Sequence, residues 1–136
     1  MSTPISLRSV CLAAAGAVLL PLGLAGPAHA ATWTTVAHAG GARAQACKVS
    51  VDDGRAWRIR VRLVNRSQET ATASFSVTRN GTRLVDRVQI RKKAGQVSST
   101  RRLTIPNRKN HRLSVGVSTA GGALGDTDIL AVVGRC

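Results

Sequence analysis

At 136 residues with twenty basic and six acidic side chains, the chain carries a formal net charge of +14, and its only aromatic residues are two tryptophans and one phenylalanine. One glutamate and five aspartates leave little material for a paired-carboxylate hydrolase, and three rings are too few for a platform that stacks nucleic-acid bases. A field of this sign attracts polyanions and opposes self-association.

Residues 1–30 read as a Sec-type signal peptide. Arg8 is their only charge, Val10 to Ala25 is an apolar run too short to cross a bilayer comfortably, and Ala28-His29-Ala30 offers a small-x-small cleavage site. No Arg-Arg pair marks a twin-arginine route, and Arg8-Ser9-Val10 before Cys11 is a poor lipobox. Cleavage before Ala31 leaves a single domain's length with no integral membrane span. It removes one positive charge, so +13 remains.

Ala31 to Ala46 is small and polar apart from Trp33 and Val36 and is interrupted by Gly40-Gly41. Residues 31–46 therefore read as a poorly ordered lead-in or an edge strand kinked at the glycines. Cys47, Val49 and Val51 alternate with Lys48 and Ser50, a first firm strand. Trp57, Ile59, Val61 and Leu63 then alternate with Arg58, Arg60 and Arg62, the period-two pattern of a strand with one buried and one wet face. Matching faces favours a three-residue loop, Asp52-Asp53-Gly54, which sets Val49 opposite Trp57 and Cys47 opposite Ile59. A two-residue turn sets Val49 beside Arg58.

Asn65 to Glu69 is a polar turn. Ala71, Ala73, Phe75 and Val77 form the next inward row, and Asn80-Gly81 marks a tight hairpin. Its two-residue register pairs Val77 with Leu84 and Ala71 with Ile90 but sets Phe75 against Asp86, so a bulge is expected near Val85-Asp86. Arg91 to Gln96 is a basic loop, and Leu103 and Ile105 mark a strand ended by Pro106. Asn107 to His111 is a second basic loop, followed by a strand carrying Leu113, Val115 and Val117. Ala120 to Gly125 reads as a flexible connection. Thr127 to Cys136 reads as the closing strand, with Ile129 to Val133 buried between layers.

About seven short strands with no helical period after residue 30 predict an all-β fold: an antiparallel immunoglobulin-like β-sandwich over residues 47–136. Cys47 and Cys136 form an even pair in an exported chain, one of them at the last residue, which predicts a disulfide between the first and last strands. With its signal segment, abundant alanine and arginine and short alternating strands, the chain resembles small secreted actinobacterial proteins with an immunoglobulin-like β-sandwich. That resemblance implies export and brings no particular activity with it.

His38 lies in the lead-in and His111 in a basic loop, neither with a nucleophile at a recognisable elbow, so no catalytic residue is expected. Asp52-Asp53 and Asp126-x-Asp128 fall apart in the strand order, short of the oxygens calcium needs, and no Cys/His cluster suits zinc. Neither metal nor cofactor is expected. The loops with Arg66 and Arg91-Lys92-Lys93 fall at one end of the sandwich, and those with Arg79, Arg83, Arg108, Lys109 and Arg112 at the other. Arg58, Arg60 and Arg62 run along a face between.

The expected polyanion-binding residues are Arg58, Arg60, Arg62, Arg91, Lys92, Lys93, Arg108, Lys109 and Arg112, because guanidinium offers forked donors to phosphate or sulfate oxygens. The bland alternative is that these charges only blunt sheet edges and confer solubility. The expected function is a secreted, non-enzymatic binding module adhering to teichoic acid, acidic polysaccharide or extracellular DNA. The competing expectation is a protein–protein interaction module, a protease inhibitor or competition factor, working through Asn107–His111, Thr119–Asp126 or a free sheet edge.

Overall fold

A computed structural model describes residues 31–136; the expected signal peptide, residues 1–30, lies outside the described residues. The described residues form eight strands: β1 (Thr34–Ala39), β2 (Ala42–Val51), β3 (Ala56–Asn65), β4 (Ala71–Arg79), β5 (Arg83–Lys92), β6 (Arg101–Pro106), β7 (His111–Thr119) and β8 (Gly122–Asp126). They make two antiparallel four-stranded sheets, ordered β1-β2-β3-β6 and β5-β4-β7-β8. The chain is all-β, with only two short 3-10 turns, Asp52–Gly54 and Ile129–Ala131. The sheets pack face to face: β1 and β2 lie against β7, β3 against β4 and β5, and β6 beside β5.

The alternation in β3 and β4 sets the core. Ile59, Val61 and Leu63 interleave with Ala71, Ala73, Phe75 and Val77, and Leu103, Ile105, Leu113, Val115 and Val117 complete the buried layer. Order extends further towards the N-terminus than composition suggested. Ala39, Ala42, Ala44 and Ala46 are buried in the same core, so of the two expectations for residues 31–46, a poorly ordered lead-in or an edge strand kinked at the glycines, the structure has the second: edge strand β1, a turn at Gly40-Gly41 and the first half of β2. Methyl groups bury little area each, which is why this inward row is faint in the sequence.

Two register expectations and one expectation about the elements are corrected. β2 and β3 pair Val51 with Ala56, Val49 with Arg58 and Cys47 with Arg60, so the loop spans Asp52 to Arg55 and the register is the one that face matching disfavoured. The alanines decide it: Ala46 faces Val61 and Ala44 faces Leu63 on the core side, which turns Cys47 and Val49 outward. In the β4–β5 hairpin Arg79 pairs with Arg83, making a three-residue turn. The bulge expected near Val85-Asp86 is present, at Val85, and brings Phe75 opposite Val88. Finally, the glycine-rich connection is itself a strand, β8, and the residues after it form no closing strand.

Those last residues act as a strap. Ile129 and Val133 plug the core, while the backbone of Gly134–Cys136 lies parallel to β2 beyond Ala46, where β1 stops. The Lys48 amide donates to the Gly134 carbonyl at 2.9 Å, and the Cys136 amide donates to the Lys48 carbonyl at 3.1 Å. Cys47 and Cys136 are disulfide-bonded with Cα atoms 5.0 Å apart, closing a loop with a sequence separation of 89. In the chain-entropy picture such a closure constrains the unfolded state by about 4–5 kcal/mol. At the other end of β3, buried Asn65 donates from Nδ2 to the carbonyls of Glu69 and Lys92 and accepts at Oδ1 from the Ser67 amide and hydroxyl. That one side chain ties the β3–β4 turn to the end of β5.

Candidate anion-binding surface

Residues opposed across neighbouring strands share a face, so the pairing fixes what surrounds each outward arginine of β3. Arg58 lies between Val49 of β2 and Thr104 of β6, Arg60 between Cys47 and Arg102, and Arg62 beside Gln45. Successive outward positions on one strand are about 6.7 Å apart. The rank is therefore evenly spaced on a regular, unbulged strand.

The three side chains are held differently. The Arg62 guanidinium stacks 4.2 Å from the centre of the Trp33 ring, and its Nε donates to Gln45 Oε1 at 2.8 Å. Gln45 in turn donates to the Thr35 hydroxyl at 3.3 Å. Arg60 is half-buried, with an Nε that is shielded from solvent and has no hydrogen-bond partner. Arg58 and Arg102 are exposed.

The basic surface continues around the lateral edge where β6 lies beside β5. Arg101 and Arg102 of β6 and Arg83, Arg87 and Arg91 of β5 are all exposed. Arginine Nε donors at Arg55, Arg62 and Arg87 end on neutral oxygens: the Asp52 carbonyl, the Gln45 amide and the Ser74 hydroxyl. The carboxylates of Asp86 and Asp126 instead accept from the backbone amide next to them, each at 2.7 Å. The described hydrogen bonds thus leave the guanidinium charge uncancelled at contact range.

The nine residues singled out in the sequence do not share one face. Arg58, Arg60 and Arg62 lie on the outside of the first sheet. Arg91 and Arg112, opposite Thr72 and Thr78, lie on the outside of the second. Lys92 and Lys93 gather at the Asn65 end, where the Lys92 carbonyl meets Asn65. Arg108 and Lys109 sit at the opposite end, in the loop anchored by Asn107 to Arg55 and by Asn110 to Asn80. Sequence reasoning passed over Arg102, Arg101 and Trp33. Burial of Leu103 and Ile105 already implied an outward Arg102; what was missing was that β6 pairs with β3.

Other chemistry is sparse. His111 Nδ1 pairs with Asn110 Oδ1 at 2.8 Å and lines an open cleft with Lys48, Trp57, Arg108 and the exposed Asp128. Lys48 points to the core side at the end of the sandwich. Its ammonium donates to the Leu130 carbonyl at 2.7 Å and lies 5.2 Å from the Trp57 ring centre. Burial, and then the nearby Arg135 charge, hold its pKa below the ordinary lysine value. Among the described residues no group of three His, Cys, Asp or Glu side chains is placed to hold a metal ion, and no helix is long and apolar enough to cross a membrane. No protein-family model matches the chain, and no curated protein or solved structure is significantly similar to it.

Proposed function

We propose that this chain is a secreted, non-enzymatic, immunoglobulin-like module that adheres to anionic polymers of the cell envelope or extracellular matrix. The observation that carries this reading is the run of unneutralised guanidinium groups over β3, β6 and β5. Solubility alone needs charges of either sign interspersed; over β3, β6 and β5 the arginines are interrupted by a single carboxylate, Asp86, which accepts from the Arg87 amide. The connectivity supports the immunoglobulin-like part. Hairpin β2–β3 lies in the first sheet and hairpins β4–β5 and β7–β8 in the second, while β6 returns to β3 and β7 to β4, the Greek-key pattern of such sandwiches. A disulfide closing almost the whole domain favours an oxidising compartment, in keeping with the signal-peptide reading of residues 1–30.

Retention on heparin and on phosphocellulose tests the proposal. Multi-phosphate binding is steeply salt-dependent, and elution above roughly 0.2 M salt is expected; release below that leaves only nonspecific attraction. A second reading draws on β8, an edge strand exposed along its whole length, with Leu124 58% exposed and no basic residue or proline to guard it. Addition of a partner strand there would make the chain a protein-binding module. A stoichiometric protein partner captured at high salt would favour that reading over the polyanion one.

A further inference from the structure

We infer that the outer face of β3 and β6 is a track for a linear phosphodiester polymer, with Arg60 and Arg102 as its central anion clamp. The inference rests on the polyanion reading above and narrows it to one face and one ligand chemistry.

Two unfavourable features coincide at this pair. Arg60 and Arg102 are directly opposed on adjacent strands, where like charges repel. Arg60 also keeps a buried Nε without a partner, and the disulfide half-cystine Cys47, its neighbour on the other side, offers no strong acceptor. Nothing in the core requires either charge, since both residues face away from it. An anion seated between the two guanidinium groups offsets the repulsion and accepts from their terminal nitrogens, the Arg60 Nε staying shielded.

The flanking residues set the class of anion. Arg58 and Arg62 extend the rank in both directions at about 6.7 Å per step, so successive charges on one extended polymer meet successive arginines. Glycerol-phosphate chains and single-stranded nucleic acids place a phosphate at every short repeat. An alternating glycosaminoglycan such as hyaluronate carries its carboxylate only once per two sugar rings, a longer period. Arg62 is held in place before any ligand arrives, by Trp33 stacking and the Gln45 hydrogen bond, and leaves its terminal nitrogens for the ligand. With Trp33 occupied by Arg62, no base-stacking ring is offered beside this rank, so recognition goes to phosphates and not to bases. On the outside of the second sheet, by contrast, Gln89 separates Arg87 from Arg91 on β5, Arg87 donates to the Ser74 hydroxyl, and Arg112 stands apart on β7, so no two arginines hold successive outward positions.

The test measures affinity for a glycerol-phosphate oligomer, for oligothymidylate and for hyaluronate across a salt series. The proteins are the disulfide-bonded residues 31–136, R102Q, R60Q and, as a charge-matched control on β4 of the second sheet, R79Q. Arg102 is exposed, so R102Q carries the test should R60Q fold poorly by circular dichroism. The track predicts that R102Q weakens both phosphodiester polymers by about fivefold or more. It also predicts that the slope of log K against log salt falls by roughly 0.7 per lost contact, with R79Q near the parent. Equal losses in R102Q and R79Q overturn the track and leave the broader polyanion reading standing. Hyaluronate binding that is as tight and as sensitive to R102Q overturns the phosphodiester assignment. Failure of the parent protein to bind any of the three at roughly 0.2 M salt overturns both.

Discussion

The ionisation of Lys48 is displaced, and its side chain is also a structural pin. It reaches from β2 across the open end of the sandwich to the Leu130 carbonyl, holding the 3-10 turn from which the terminal strap departs. Burial first, and Arg135 second, lower its folded pKa below 10.5. Between that lowered value and 10.5 the unfolded chain keeps a proton that the folded chain has released, so stability from this residue rises with pH across the window. Below the folded pKa both states are charged and the penalty is fully present; above 10.5 it is gone. The chain has no tyrosine and both described cysteines are paired, so neither a phenol nor a thiol of the described residues titrates in this window. Urea midpoints measured up to pH 10.5 should rise for the parent protein, and in Lys48→Met that rise should disappear.

Two glycines face each other where β7 meets β8, and they have opposite reasons for being there. A Cβ on Gly125 would lie 2.9 Å from the Val115 carbonyl oxygen, while one on Gly116 would meet nothing within 4 Å. Thermal unfolding should therefore show Gly125→Ala destabilised by about 1–3 kcal/mol. Gly116→Ala should be neutral or stabilised by up to about 1 kcal/mol, since glycine inside a strand costs chain entropy. β8 also illustrates which elements a sequence can announce. β3, β4, β6 and β7 each bury an alternating row of sizeable side chains, and that row was visible as a period of two. β8 buries none of its five residues, so only its backbone hydrogen bonds to β7 define it, and those leave no trace in side-chain chemistry. The β2 register was hidden for a related reason: its core face is Ala42, Ala44 and Ala46, outweighed on paper by the larger Cys47, Val49 and Val51 on the other side. The same limit applied to the site. The outward arginines of β3 were legible from parity. The opposition of Arg60 to Arg102 was not, because it depends on which distant strand comes to lie beside β3.

The whole molecule is arranged around an imbalance of charge. β3, β6 and β5 carry exposed arginines with Asp86 as the one carboxylate among these strands, whereas Asp126 ends β8 and Asp128 precedes the strap. The strap and the disulfide keep the sheets in this arrangement, and Cys47 lends its outer surface to the flank of Arg60. Contact-range neutralisation is absent from the described arginine hydrogen bonds, so the field extends outward over a Debye length of about 10 Å at 0.1 M salt. The most direct test is a backbone amide chemical-shift map of disulfide-bonded residues 31–136, titrated with a glycerol-phosphate oligomer. The predicted perturbations cluster on Arg58–Arg62 and Arg101–Thr104 and fade towards β8. Shifts concentrated on β7 and β8, or scattered evenly over all basic residues, would contradict it.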